Sequence, residues 1–113
     1  MAALLMHGKS IGHGHKDYYS LILHGKGRLL YPDLNVTQYE SSYLNWTREG
    51  IGHNTLLVDH QSPSPGAFTT RHDFQALASY FAISGSAYEG VQQTRAVVLT
   101  KEYMADFFHA ADG

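Results

Sequence analysis

The sequence predicts an all-β fold, part of an antiparallel β-sandwich, and three observations carry that expectation. Six or so short runs rich in β-branched and aromatic residues recur along the chain. Turn-forming clusters separate them, and no repeat or low-complexity tract interrupts the pattern. Short strands punctuated in this way belong to antiparallel sheets and not to a helical or parallel α/β domain.

The first strand signal is Tyr18-Tyr19-Ser20-Leu21-Ile22-Leu23. His24-Gly25-Lys26-Gly27 closes it as a tight turn into Arg28-Leu29-Leu30-Tyr31, so the pair reads as a hairpin. Pro32-Asp33-Leu34-Asn35 then breaks the strand. Residues 36–50 are polar, aromatic and irregular, and predict a long loop of the kind that is usually functional or disordered. His53-Asn54-Thr55-Leu56-Leu57-Val58-Asp59 predicts another strand, and Gln61-Ser62-Pro63-Ser64-Pro65-Gly66 the clearest loop. From Phe74 to Ile83 the apolar spacing suits a helix almost as well as a strand, with Tyr80-Phe81-Ala82-Ile83 leaning to strand. Val91 to Thr100 and Tyr103 to Ala110, joined by Lys101-Glu102, predict a final antiparallel pair. A sheet of this size cut from a larger sandwich exposes unpaired edges and an uncovered face. The sequence carries few devices that would blunt them, so the chain is expected to be a piece of something larger.

At 113 residues the chain is expected to form a single domain spanning 1–113. A net charge of −2 with 16% charged residues excludes a strongly basic nucleic-acid binder and an acidic disordered tail. The 43% hydrophobic content predicts a folded core. Without cysteine there are no disulfides and no thiolate metal sites, which leaves the compartment open. The apolar stretch from Ala2 to Met6 is too short for a membrane span or a signal-peptide core. Histidine is the unusual component. There are eight, as many as lysine and arginine together, which points toward metal ligation or acid–base work.

Gly12-His13-Gly14-His15 is the first candidate site. On an extended backbone, residues two apart face the same side, with Cα atoms roughly 6–7 Å apart. The intervening glycine clears space for a ligand. Two ligands of one metal, one ligand beside an acid–base group, and a glycine-rich turn with two exposed histidines all fit this spacing. Asp33 follows across the hairpin, where it can lie beside His15 or act as an ordinary turn residue. His53 precedes Asn54, whose side chain is suited to brace a loop. Taken together, two histidines and an aspartate from the three segments of His15, Asp33 and His53 make an N/N/O set, with one position left for water or another group, that suits zinc better than magnesium or calcium, since imidazole is a poor ligand for hard cations. Tyr39, Tyr43 and Trp46 are loop aromatics beside the candidate site, where contact with a ligand is expected. Arg48, Arg71 and Arg95 are candidate forks for a carboxylate, each with an ordinary ion-pair role as the alternative.

Three ordered motifs then resemble the C-terminal domain of heparinase II/III-like polysaccharide lyases, a group that includes heparin, heparan sulfate and oligo-alginate lyases. They are Gly12-His13-Gly14-His15-Lys16-Asp17, Gly25-Lys26-Gly27-Arg28-Leu29-Leu30-Tyr31-Pro32-Asp33-Leu34, and Gly52-His53-Asn54-Thr55-Leu56-Leu57-Val58-Asp59. The tail, Ala87-Tyr88-Glu89-Gly90-Val91, Thr94-Arg95 and Tyr103-Met104-Ala105-Asp106-Phe107, fits as well. The resemblance implies a β-sandwich normally packed on an N-terminal α/α toroid, which is absent here, so the domain is expected to be truncated at both ends. It implies a catalytic role for His13 and a zinc site of His15, Asp33 and His53, the zinc organising the site and not activating water. Tyr39 or Tyr43 would correspond to the loop tyrosine that some alginate-acting relatives use. The implied reaction is β-elimination on a uronic-acid glycan, heparin-like or alginate-like. The implied partners are an acidic poly- or oligosaccharide, with Trp46, Arg48 and Arg95 as substrate contacts, the toroid domain, and a second copy in a homodimer. The implied location is the bacterial periplasm or the exterior. The alternative is a non-catalytic carbohydrate-binding or zinc-stabilised structural module; a free-standing zinc hydrolase lacks an evident carboxylate base.

Overall fold

A computed structural model describes residues 1–7, 15–33, 42 and 44–113. These residues are nearly all β, as expected, with strands arranged in two antiparallel sheets. The first sheet has the order β1 (Ala2–Leu5), β2 (Leu21–Gly25), β3 (Arg28–Tyr31). The second is a meander of β4 (Phe68–Phe74), β5 (Ala78–Tyr88), β6 (Val91–Thr100) and β7 (Met104–Asp112).

Local chemistry explains the turns. Lys26 and Gly27 both have positive φ, 52° and 75°, the condition for a two-residue turn that matches strand twist and closes β2 onto β3. Between β6 and β7 the Thr100 hydroxyl accepts the amides of Glu102 and Tyr103 at 3.1 and 3.0 Å, so a side chain replaces the missing ladder partner. The ambiguous stretch from Phe74 resolves into the end of β4, a turn, and the start of β5. Its near-helical spacing came from reading across a bend.

Alternation on β6 places Gln93, Arg95 and Val97 on one buried face. Val97, Ile83, Ala87 and Tyr88 of the second sheet share one core with Leu5 and Leu21 of the first, and with Tyr18 and Tyr19 just ahead of β2. Leu21 and Val97 are fully buried, each a gain of about 1.5–3 kcal/mol from removing its side chain from water. By contrast, β3 and β4 are exposed along their whole length.

Several elements depart from expectation: β1 and most of β4 were not foreseen, and Tyr18-Tyr19-Ser20 form a turn ahead of β2 where the sequence suggested the start of its strand. The segment from His53 to Asp59 is not a strand. His53 closes a 3-10 turn over Gly50–Gly52, and Asp59 and His60, both with positive φ, make a tight turn bridged by Val58 and Gln61. Asn54 and Thr55 explain the difference, because their side chains bond carbonyls of other segments and leave no ladder to form. Within the expected long loop, α1 (Leu44–Arg48) forms a short helix. Among the described residues no helix is long and apolar enough to cross a membrane.

Candidate functional site

Three of the sequence-predicted residues come together where the segment before β2, the end of β3 and the 3-10 turn meet. The His15 and His53 rings have centroids 5.2 Å apart. Asp33, two residues beyond β3, accepts a hydrogen bond from His53 Nδ1 at 2.6 Å. The His53 side chain is wholly buried and Asp33 is 19% exposed, so this contact is shielded from solvent. Donation from Nδ1 to a carboxylate selects one tautomer of neutral His53 and leaves Nε2 with a lone pair. That Nε2 and the Nε2 of His15 are both buried and have no hydrogen-bond partner among the described residues.

Buried polar atoms without partners are uncommon and call for an explanation in each case. Among the described residues there are four such side-chain atoms: the hydroxyls of Tyr19 and Ser20, and these two, which belong to imidazoles of one cluster. A carboxylate on Nδ1 with a bare Nε2 opposite is the usual support for a metal-binding histidine. Asp33 is therefore seen orienting a ring. Among the described residues, no group of three or more histidine, aspartate or glutamate side chains is arranged to hold a metal ion.

Main-chain and side-chain bonds fix both histidine segments. Lys16 N–H donates to the Arg48 carbonyl at 2.8 Å, which ties the residue after His15 to α1. Asn54, next to His53, donates through Nδ2 to the carbonyls of Leu21 at 3.0 Å and Pro32 at 2.9 Å. Thr55 Oγ1 donates to the Tyr18 carbonyl at 2.7 Å. The bracing role expected of Asn54 is thus visible.

A second polar knot flanks the cluster. Lys16 Nζ contacts both Glu49 carboxylate oxygens at 2.8 and 2.9 Å, Ser62 Oγ donates to Glu49 Oε2, and Gly50 N–H donates to Ser62 Oγ. The hydrogen bond from Lys16, with that from Ser62, holds the Glu49 carboxyl below its ordinary 4.5 against the opposing effect of partial burial. A depressed folded-state value gives stability that is present above the ordinary value and lost as pH falls through the lowered one. Both side chains are largely open to water, 52% for Lys16 and 41% for Glu49, so screening keeps the effect below about 1 kcal/mol. Glu49→Gln is expected to lower the unfolding midpoint slightly at pH 7. That difference should vanish as the medium is acidified below the carboxyl range; a difference unchanged at low pH would contradict the assignment.

The other expected residues separate. Trp46 lies half-exposed on α1, and Arg48 with Lys16, Asn45 and Glu49 lines a hollow of about 130 Å³. Arg95 differs from a substrate contact in its surroundings. It is buried and its fork is engaged by the protein: Nε and Nη2 donate to Asp106 Oδ1 and Oδ2 at 2.9 and 2.6 Å, and Nη1 to the carbonyls of Tyr19 and Asn54. The Phe108 ring lies 4.8 Å below its guanidinium. His13, Tyr39 and Tyr43 lie outside the described residues. An apolar cleft of about 290 Å³ between β1 and the β4–β5 pair shares no residue with the histidine cluster.

No family model matches the chain, and no solved structure matches it significantly. An exo-oligoalginate lyase of Saccharophagus degradans (strain 2-40) is 32% identical over an alignment 112 positions long that covers 80% of this chain. The similarity is to a polysaccharide lyase. This chain spans 15% of that relative's length.

Proposed function

We propose that this chain is the β-sandwich portion of a heparinase II/III-like polysaccharide lyase that cleaves uronate glycans of the alginate type by β-elimination. The observation that carries the reading is the identity to the exo-oligoalginate lyase, which covers most of this chain. The juxtaposition of His15, Asp33 and His53 supports it independently of that similarity.

In the proposed reaction a base removes the proton at C5 of the uronate, the bond from C4 to the glycosidic oxygen breaks, and a C4–C5 double bond forms. The departing oxygen takes up a proton. His13 is assigned to the proton transfer or to polarising the uronate carboxyl group, roles open to an imidazole near neutral pH. Zinc would be held by Nε2 of His15 and of His53, with Asp33 behind His53, its carboxylate on Nδ1. The two buried Nε2 atoms support that reading, and the further ligands that zinc needs would come from outside the described residues. Bound zinc would supply organisation, locking the segment before β2 to the 3-10 turn. Asp33 keeps His53 in the tautomer that presents Nε2. The α/α toroid is assigned to the part of the protein beyond this chain and would supply the remaining substrate contacts.

Two measurements test the proposal. Purified chain is expected to contain about one equivalent of zinc, lost in His15→Ala and in Asp33→Ala; metal-free folded protein would refute the zinc site. Co-expression with the unmatched remainder of the Saccharophagus relative is expected to yield the ultraviolet absorbance of unsaturated uronate from oligoalginate. His13→Ala should abolish it. Sugar binding that survives His13→Ala, with no product in any combination, would replace the lyase reading by a binding module.

A further inference from the structure

Four of the described strands lie at sheet edges: β1 and β3 in the first sheet, β4 and β7 in the second. An edge strand offers unpaired N–H and C=O groups to another strand, and proteins blunt such edges with proline, lysine, bulges or short length. β4 has none of these. It runs seven residues, Phe68–Phe74, without proline or lysine, pairs with β5 in one unbroken register, and is exposed throughout.

Main-chain bonds show which groups of β4 are free. Ser86 N–H donates to the Ala67 carbonyl and Gln75 N–H to the Ala78 carbonyl, so residues 67 and 75 point toward β5. By alternation, residues 69, 71 and 73 point the same way. The N–H and C=O groups of Phe68, Thr70, His72 and Phe74 therefore face the open edge.

Charge singles out the same strand. β1 carries no charged residue, β3 only Arg28, and β7 has Asp106 and Asp112 with no arginine or lysine. β4 alone of these edges has both signs, in Arg71 and Asp73. Arg71 makes no ion pair among the described residues, and Asp73 accepts a hydrogen bond from Gln75 Nε2 at 2.7 Å. When two β4 strands pair antiparallel about His72, Arg71 of each copy stands opposite Asp73 of the other. Thr70, His72 and Phe74 then exchange main-chain hydrogen bonds with Phe74, His72 and Thr70 of the second copy. Centring the pair on Arg71 or on Asp73 instead sets like charges against each other, which disfavours those registers. The two-fold axis makes the contact isologous, so it closes and does not propagate.

We propose that β4 is a self-association edge, through which two copies of this chain join their four-stranded sheets into one continuous sheet. Thr70, His72 and Phe74 also line the apolar cleft beside β1, and pairing places Phe74, 65% exposed in a single copy, against Thr70 of the other.

Sedimentation of the purified chain over a range of concentrations tests this, with circular dichroism as the check on folding. The unmodified chain should be a reversible dimer. Arg71→Asp, which sets acid against acid on both sides of the axis, should raise the dissociation constant at least about tenfold. Arg71→Asp combined with Asp73→Arg should restore the dimer. His72→Pro, which removes an N–H that points away from β5, should leave a folded monomer. Should His72→Pro not fold, the two exposed charge substitutions decide alone. A monomer at every concentration would overturn the proposal, as would association that grows beyond two copies. A dimer unmoved by Arg71→Asp would place the contact on another surface and overturn it too. A chain that is monomeric alone and protected along β4 only beside the remainder of a parent lyase would assign the edge to that partner instead.

Discussion

Replacing Arg95 with methionine is expected to cost about 3 kcal/mol of stability, the lower end of the range for breaking a buried ion pair by removing one partner. The lower end applies because Asp106 is 23% exposed and can recover part of its solvation, whereas the arginine side chain is 6% exposed. The greater share of the loss falls on the Tyr19 and Asn54 carbonyls, which lose their common donor. Methionine retains much of the apolar volume against Phe108, so cavity formation adds little. In a chain of this length the loss corresponds to a fall of roughly 10–15 °C in the unfolding midpoint. Arg95→Met combined with Asp106→Leu should recover part of the deficit, because the orphaned carboxylate goes with its partner. An unfolding midpoint within a few degrees of the original for Arg95→Met would show that the pair is not shielded as the structure has it.

Arg95 also shows what a linear reading can reach. Its residue type suggested a fork for a substrate carboxylate, and the fork exists, but it grips a neighbouring strand and two carbonyls. One of these belongs to Tyr19, 76 residues away, a distance over which periodicity carries no information. The β2–β3 hairpin and the β6–β7 pair were legible because their determinants are local: Lys26-Gly27 in the first turn, Thr100 in the second. The strand β1 was not foreseen, since Ala2–Leu5 is too short to signal anything until Leu4 and Leu5 find Ile22 and Leu21. The expected strand from His53 failed for the converse reason. Its composition suits a ladder, but Asn54 and Thr55 commit their side chains to other segments. The grouping of His15, Asp33 and His53 was legible only through ordered motifs. Spacing alone left a glycine-rich turn and a turn aspartate equally open.

Gly66→Ala is expected to destabilise the chain by about 3 kcal/mol, the upper end for forcing extra volume into a packed region. A Cβ at Gly66 would stand 1.7 Å from the Ser86 carbonyl oxygen and 2.9 Å from its carbon, and both are main-chain atoms that no rotamer change can move. The crowding arises from the fold. Between Gly85 and Tyr88 the β5–β6 ladder shifts register, and the loop before β4 lies against that irregularity through Ser64 N–H to the Ala87 carbonyl and Ser86 N–H to the Ala67 carbonyl. Relief would require parting the loop from β5 and breaking those bonds. Gly90→Ala provides the contrast. Gly90 has a φ of +72° but nothing within 4 Å of its would-be Cβ, so its cost is the left-handed backbone alone, roughly 1–2 kcal/mol. Chemical denaturation of the two variants separates close approach from backbone conformation. If Gly90→Ala proved the more damaging, the loop would not be seated on the β5 bulge as described.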